Sequence, residues 1–297
     1  MRRWRRPSTV AVAAVCLIVM TLVAWSRWHH GSVTSAASVA APVGTSTTTT
    51  STSTTATSTT TTTVSTTATT AAPRAAPSVE GKVIVIDPGH NEGNSQHTSE
   101  INQPVDIGNG TKACDTTGTA TNDGYSEARY TTDIANRVAA LLRADGVTVV
   151  LTRGPSTPWG PCINERAAIG NDAHADAAIS IHGDGGSADG RGFHVIEPLL
   201  VAGHNDGIIE PSARLALMVR DAYRSATGLP FSTYVGHDGI DARSDLGGLN
   251  LSTVPKVFIE TGNMRNGTDA GLMKDPAFRQ TIAAGIANGL IDFVSAT

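Results

Sequence analysis

Lys82-Val83-Ile84-Val85-Ile86-Asp87, followed at once by Pro88-Gly89-His90, decides the fold class. The run of β-branched residues is too short for a helix and suits a strand buried on both faces. Pro88-Gly89 then ends it. Outward from this stretch, strands and helices alternate. Ser126–Asp145 carries Ile134, Val138, Leu141 and Leu142 on one helical face and stops at Gly146. Val147–Thr152 reads as a strand, Cys162–Ala173 as a short helix, and Ala177–His182 and Gly192–Glu197 as two further strands. Pro211 opens a helix reaching Ser225, Lys256–Glu260 is a late strand, and Asp275–Val294 is a closing helix. This order predicts a single α/β domain with a largely parallel or mixed central sheet flanked by helices.

The segment before the domain has a different character. Arg2, Arg3, Arg5 and Arg6 precede an apolar run, Val10 to Trp25, broken only by Thr21. Residues 1–30 are therefore expected to be a signal anchor or signal peptide. No small-residue cleavage site follows the run closely, which favours an uncleaved anchor. The arginine excess keeps the N-terminus inside and places the rest of the chain outside the membrane. Residues 31–79 are rich in Thr and Ser, with Arg74 the sole charge before Ser78. Such a stretch buries too little apolar surface to offset its ordering entropy and is expected to be a disordered linker. The 297-residue chain has a net charge of −4. Most of its N-terminal charge is basic, so the remainder is more acidic still. That balance excludes nucleic acid as a partner.

In parallel α/β sheets, sites gather at the carboxyl ends of strands. Here those ends carry Asp87-Pro88-Gly89-His90, Ser180-Ile181-His182 and Glu260, while Glu127 opens the first long helix. Each alone has an ordinary explanation: a satisfied polar residue, a helix-dipole partner or a boundary charge. Together, two His and one Glu supply the three N/O ligands of a hydrolytic zinc site with an open position. The second Glu supplies the base that such chemistry requires.

The same residues carry a family resemblance. Val83 to His90, Glu127, Ser180-Ile181-His182 and Ile259-Glu260-Thr261-Gly262-Asn263-Met264-Arg265-Asn266 resemble the zinc-dependent N-acetylmuramoyl-L-alanine amidases of bacterial cell walls. Asn164-Glu165-Arg166 and Leu249-Asn250-Leu251 add to the likeness, which covers nearly all of Gly81–Thr297. The chain departs from the usual pattern at Asn91, where Gly is common, and at Gly183-Asp184-Gly185. The resemblance implies a zinc amidase catalytic domain over residues 80–297. Its one Zn2+ would be held by His90, Glu127 and His182, with Glu260 catalytic. The implied substrate is the amide between N-acetylmuramic acid and the L-alanine of the peptidoglycan stem peptide. The alternatives are another extracellular zinc hydrolase, either peptidase or deacetylase, and a non-catalytic wall-binding protein.

His194, Arg243 and Asn250 are candidate substrate contacts. His97, His174, His204 and His237 read as surface residues. Cys114 and Cys162 lie in an exported domain and are expected to form a disulfide. The bridge would fasten the insertion Asn91–Tyr125, rich in Gly, Thr and Asn, as one wall or a partial lid of the cleft. Expected partners are peptidoglycan, the membrane through the N-terminal segment, and an unidentified regulatory protein.

Overall fold

The computed structural model describes residues 79–297. The anchor and nearly all of the linker lie outside them. Val79, at the end of the expected linker, is buried. Among the described residues, no helix is long and apolar enough to cross a membrane.

Strand β1 (Val83–Pro88) leads into an inserted region made of a 3-10 turn, helix α1 (Thr98–Ile101) and strands β2 (Pro104–Asp106) and β3 (Thr111–Ala113). There follow α2 (Glu127–Ala144), β4 (Thr148–Leu151), α3 (Ile163–Asp172), β5 (Ala177–Asp184) and β6 (His194–Pro198). The chain continues through α4 (Ile209–Thr227), β7 (Ile240–Arg243), α5 (Gly247–Asn250) and β8 (Lys256–Asn263). It closes with α6 (Gly267–Lys274) and α7 (Pro276–Ser295). The central sheet has the order β4-β1-β5-β8-β6-β7, and β2 and β3 form a separate antiparallel pair. Neighbours are parallel except β6, which runs antiparallel to β8. The α/β reading and the mostly parallel sheet are borne out.

Side chains alternate across the strands, and the two faces of the sheet differ. Ile84, Ile86, Ile179, Ile181, Val257 and Ile259 face the main core, where α2, α4 and α7 pack through Ile134, Val219 and Ile286 among others. Val85 and Ala178 belong to a smaller cluster with Ile169 of α3. Continuing that second face by steps of two gives Asp87 on β1, Ser180 and His182 on β5, and Lys256, Phe258 and Glu260 on β8. The polar groups of interest therefore share one face, away from the large core.

The insertion is not the structureless loop that its composition suggests. Ile101, Ile107 and Cys114 are buried in it, and Asn91 caps its first turn by accepting from the Gly93 N–H. Strand β7 also escapes sequence reading: Ile-Asp-Ala-Arg alternates, but over only four residues and with small Ala as its second apolar position. β5 and β8 run on past His182 and Glu260 to Asp184 and Asn263, with a register shift between.

Candidate metal centre and catalytic cleft

His90 leaves the end of β1 with φ of 57°, in the left-handed region that is costly for a residue with a side chain. Two buried arginines hold this turn. Arg166 donates from Nη1 to the Pro88 carbonyl at 2.8 Å and from Nη2 to the His90 carbonyl at 3.0 Å. The same guanidinium pairs with Asp87 at 2.7 Å and Asp115 at 3.0 Å. Arg153 donates to the carbonyls of Pro88, Gly89 and Ala128, tying the turn to the start of α2.

Glu127 is the first residue of α2, whose N-cap Ser126 accepts from the Arg129 N–H. Its carboxylate is buried and surrounded by donors. The Thr119 N–H donates to Oε2 at 2.8 Å and the Gly183 N–H to Oε1 at 3.2 Å. His90 Nε2 lies 3.2 Å from Oε2, and His182 Nδ1 lies 3.0 Å from Oε1. The two imidazole rings meet edge to face, 5.0 Å apart. Neighbouring glycines make this closeness possible. A Cβ at Gly118 would come within 2.8 Å of both Glu127 Oε2 and His90 Cδ2.

His90, Glu127 and His182 each offer one ligand atom, and these atoms all lie within 4.8 Å of one another. The remaining nitrogen of each ring is already engaged. His90 Nδ1 lies 3.1 Å from the Thr116 carbonyl, which can only accept, and His182 Nε2 lies 3.1 Å from Ser180 Oγ. Two rings that spend one nitrogen on the protein and turn the other toward one carboxylate form a donor set suited to a divalent cation. Burial opposes a proton on His90, but the Glu127 charge and the Asp115 hydrogen bond prevail and raise its pKa to about 10. Burial likewise opposes charge on Glu127, and the two histidines overcome it, holding the carboxyl far below its usual range.

Glu260 stands in register with His182 on one side and His194 on the other, so the three form a row across β5, β8 and β6. Its Oε2 is sealed from solvent and has no hydrogen-bond partner among the described residues. Burial, then the charges of Glu127 and Asp184, push its carboxyl well above the ordinary range. His194 is buried, its Nδ1 is also unpartnered among the described residues, and burial lowers its pKa. Tyr234 approaches the His194 ring edge-on at 6.5 Å and donates to Asp184 Oδ2 at 2.7 Å.

The other candidates separate. Arg243 forks onto Asp245, with both bonds at 2.8 Å, which engages its guanidinium while leaving its charge felt at Glu260. Asn250 is fully buried, and its Nδ2 donates to the carbonyls of Ile107 and Ser244. These bonds fasten the insertion against α5, and Oδ1 has no partner among the described residues. His97 and His237 sit at the surface beside Glu100 and Asp238.

Cys114 and Cys162 are joined as a disulfide. The bridge lies next to Asp115 and Thr116 of the insertion, which contact His90, and ties them to α3, which carries Arg166. The insertion therefore does more than wall the cleft: it braces two of the three candidate ligand side chains. A cleft of about 310 Å³ opens next to them, between Lys112 and Ala113 of the hairpin and Leu246–Gly248, with Phe258 in its lining. Asp115, Thr116 and Thr119 have no signal in the sequence, because only the folded insertion brings them to the ligands.

The N-acetylmuramoyl-L-alanine amidase (Amidase_3) family profile matches residues 84–292, and the chain belongs to that family. It is thus an amidase by class. Among individual proteins it is similar to N-acetylmuramoyl-L-alanine amidase Rv3717 of Mycobacterium tuberculosis. The two are 41% identical over 224 residues, covering 73% of this chain and 88% of that one. The crystal structure of the N-acetylmuramyl-L-alanine amidase Ami1 from Mycobacterium smegmatis superimposes with a TM-score of 0.69 at 41% identity, over 74% of this chain and 99% of that one. The apo form of Ami1 from Mycobacterium abscessus gives 0.68 at 41% identity, over 72% and 99%.

Proposed function

We propose that this protein cleaves the amide bond between N-acetylmuramic acid and the L-alanine of the peptidoglycan stem peptide, using one zinc ion. The observation that carries the proposal is the convergence of His90, Glu127 and His182, with Glu260 in register beside them. When bound, zinc supplies Lewis acidity that polarises a carbonyl and acidifies water. The chain's own residues do the rest. Glu260 accepts the proton of the attacking water and returns it to the departing alanine amine. Its raised proton affinity suits that exchange. The cleft beside Phe258 receives the substrate, and His194 borders the reacting group from the opposite end of the row. Family membership favours this amide over a peptidase or deacetylase substrate. The presence of all three ligands and the base favours an enzyme over a wall-binding protein.

Composition supports the remaining parts of the reading: residues 1–30 as a membrane anchor or signal peptide, 31–79 as a linker, and the domain acting outside the cytoplasm on the wall.

The protein is expected to hold one zinc and to release free stem peptides from purified peptidoglycan. Metal analysis and mass spectrometry of the soluble products check this; products cut within the stem peptide would point to a peptidase instead. A pH dependence follows from His90. In the metal-free protein this residue keeps its proton until the pH approaches 10, and zinc must displace that proton. Apparent zinc affinity should therefore rise with pH through the neutral range, by up to about tenfold per pH unit. Chelator competition at several pH values, corrected for the chelator's own protonation, measures it. A flat profile would show that no ligand proton is displaced.

A further inference from the structure

His182 is held in one plane by its neighbours. Its ring stacks on Phe258, with centroids 5.3 Å apart and planes 5° from parallel. Gly89 presses on the same ring, where a Cβ would come within 2.3 Å of Cε1. These contacts leave two orientations, related by a half-turn of the ring, and they differ in which atoms face Ser180 and Glu127.

Ser180 decides between them. Its Oγ lies 3.1 Å from His182 Nε2 and donates to Asp87 Oδ2 at 2.9 Å. Asp87 is a carboxylate, with Arg166 Nη1 2.7 Å from its Oδ1 and Lys256 Nζ 3.8 Å from its Oδ2. An ionised carboxylate only accepts, and a serine has one proton to give. That proton goes to Asp87, so Ser180 Oγ receives the His182 Nε2–H. That leaves Nδ1, 3.0 Å from Glu127 Oε1, as the nitrogen turned toward the metal position. In the flipped ring, carbon atoms would face both Ser180 and Glu127, and neither contact would meet a ring nitrogen.

We propose that Asp87 and Ser180 are positioning residues that lock His182 to bind the metal through Nδ1, whereas His90 binds through Nε2. This rests on the reading of His90, Glu127 and His182 as the metal ligands. The lock comes from the strand alternation that sets Asp87, Ser180 and His182 on one face of the sheet. It also gives the buried Asp87 a purpose beyond its ion pair with Arg166.

The test uses the full chain labelled with ¹⁵N-histidine. In the zinc-loaded protein, His182 should show its proton on Nε2 and the metal on Nδ1, a result that needs no variant. Ser180→Ala should weaken zinc binding about 10–100-fold in chelator competition and lose the protected Nε2–H signal. Metal on Nε2 of the wild-type ring, or wild-type zinc affinity in Ser180→Ala, overturns the proposal. If the wild-type protein takes up no zinc, the metal reading fails on its own. The Nε2–H of the metal-free ring, present in the wild type and lost in Ser180→Ala, would then still report on the Asp87–Ser180 lock.

Discussion

Glu260→Gln should keep its zinc and lose about 10²–10⁴-fold in turnover. Glutamine has the same length and keeps the register with His182 and His194, so the row across β5, β8 and β6 survives. The loss is confined to a proton acceptor. None of the three ligand-type side chains depends on a hydrogen bond from Glu260, whose Oε2 is unpartnered among the described residues. The amide also removes a carboxyl group that sits against the charges of Glu127 and Asp184. The variant's thermal stability should therefore be at least that of the wild type. Zinc content, melting temperature and single-turnover rate separate the outcomes. Loss of zinc would exchange the roles of ligand and base, and a wild-type rate would remove Glu260 from the mechanism.

Arg166→Met has the largest expected effect on stability, a loss of about 3–5 kcal/mol. The guanidinium is buried and uses every nitrogen: Nε to the Pro161 carbonyl, Nη1 to Asp87 and Pro88, Nη2 to His90, Asp115 and Gly160. Removing it leaves two buried carboxylates short of a partner and frees the turn that holds His90 at positive φ. Arg166→Lys should recover little, because one ammonium cannot reach three elements as a planar fork does. Denaturant unfolding of the metal-free protein gives the number directly. A change below about 1 kcal/mol would mean that Lys256 and Arg153 neutralise Asp87 and Asp115 without help.

The sequence makes the candidate ligands legible and leaves most of their supports hidden. His90, His182 and Glu260 can be read because each follows or ends an apolar strand, where an ionisable group needs a reason, and Glu127 because it opens the first long helix. Arg166 drew notice only as part of a motif. Arg153, Asp115, Thr116 and Thr119 act through backbone carbonyls, amides and short contacts that no periodicity encodes. The insertion misled because Gly, Thr and Asn suggest a loose loop, whereas its order comes from a few buried residues, the disulfide and contacts with other segments. The place of Asn250 is hidden for a related reason: an amide suits a substrate in sequence, and here its Nδ2 also meets three converging carbonyl and side-chain oxygens. His194 shows a limit of the strand-end rule. It stands at the first residue of β6, and only the antiparallel turn of that strand brings it to the rim.

The Cys114–Cys162 bridge has a bearing on the unfolded chain as well as on the native one. Its partners are 48 positions apart, and the covalent ring contains Glu127 and all of α2. In a chain-entropy account, such a ring disfavours the denatured ensemble by about 4 kcal/mol. Even when packing is lost, Glu127 cannot wander far from the segment that carries Arg166, and the insertion cannot separate from α3. The number of arrangements to be searched before the cage can re-form is correspondingly smaller. A reductant would thus act first on the ensemble from which the protein refolds, by restoring to it the conformations that the ring forbids.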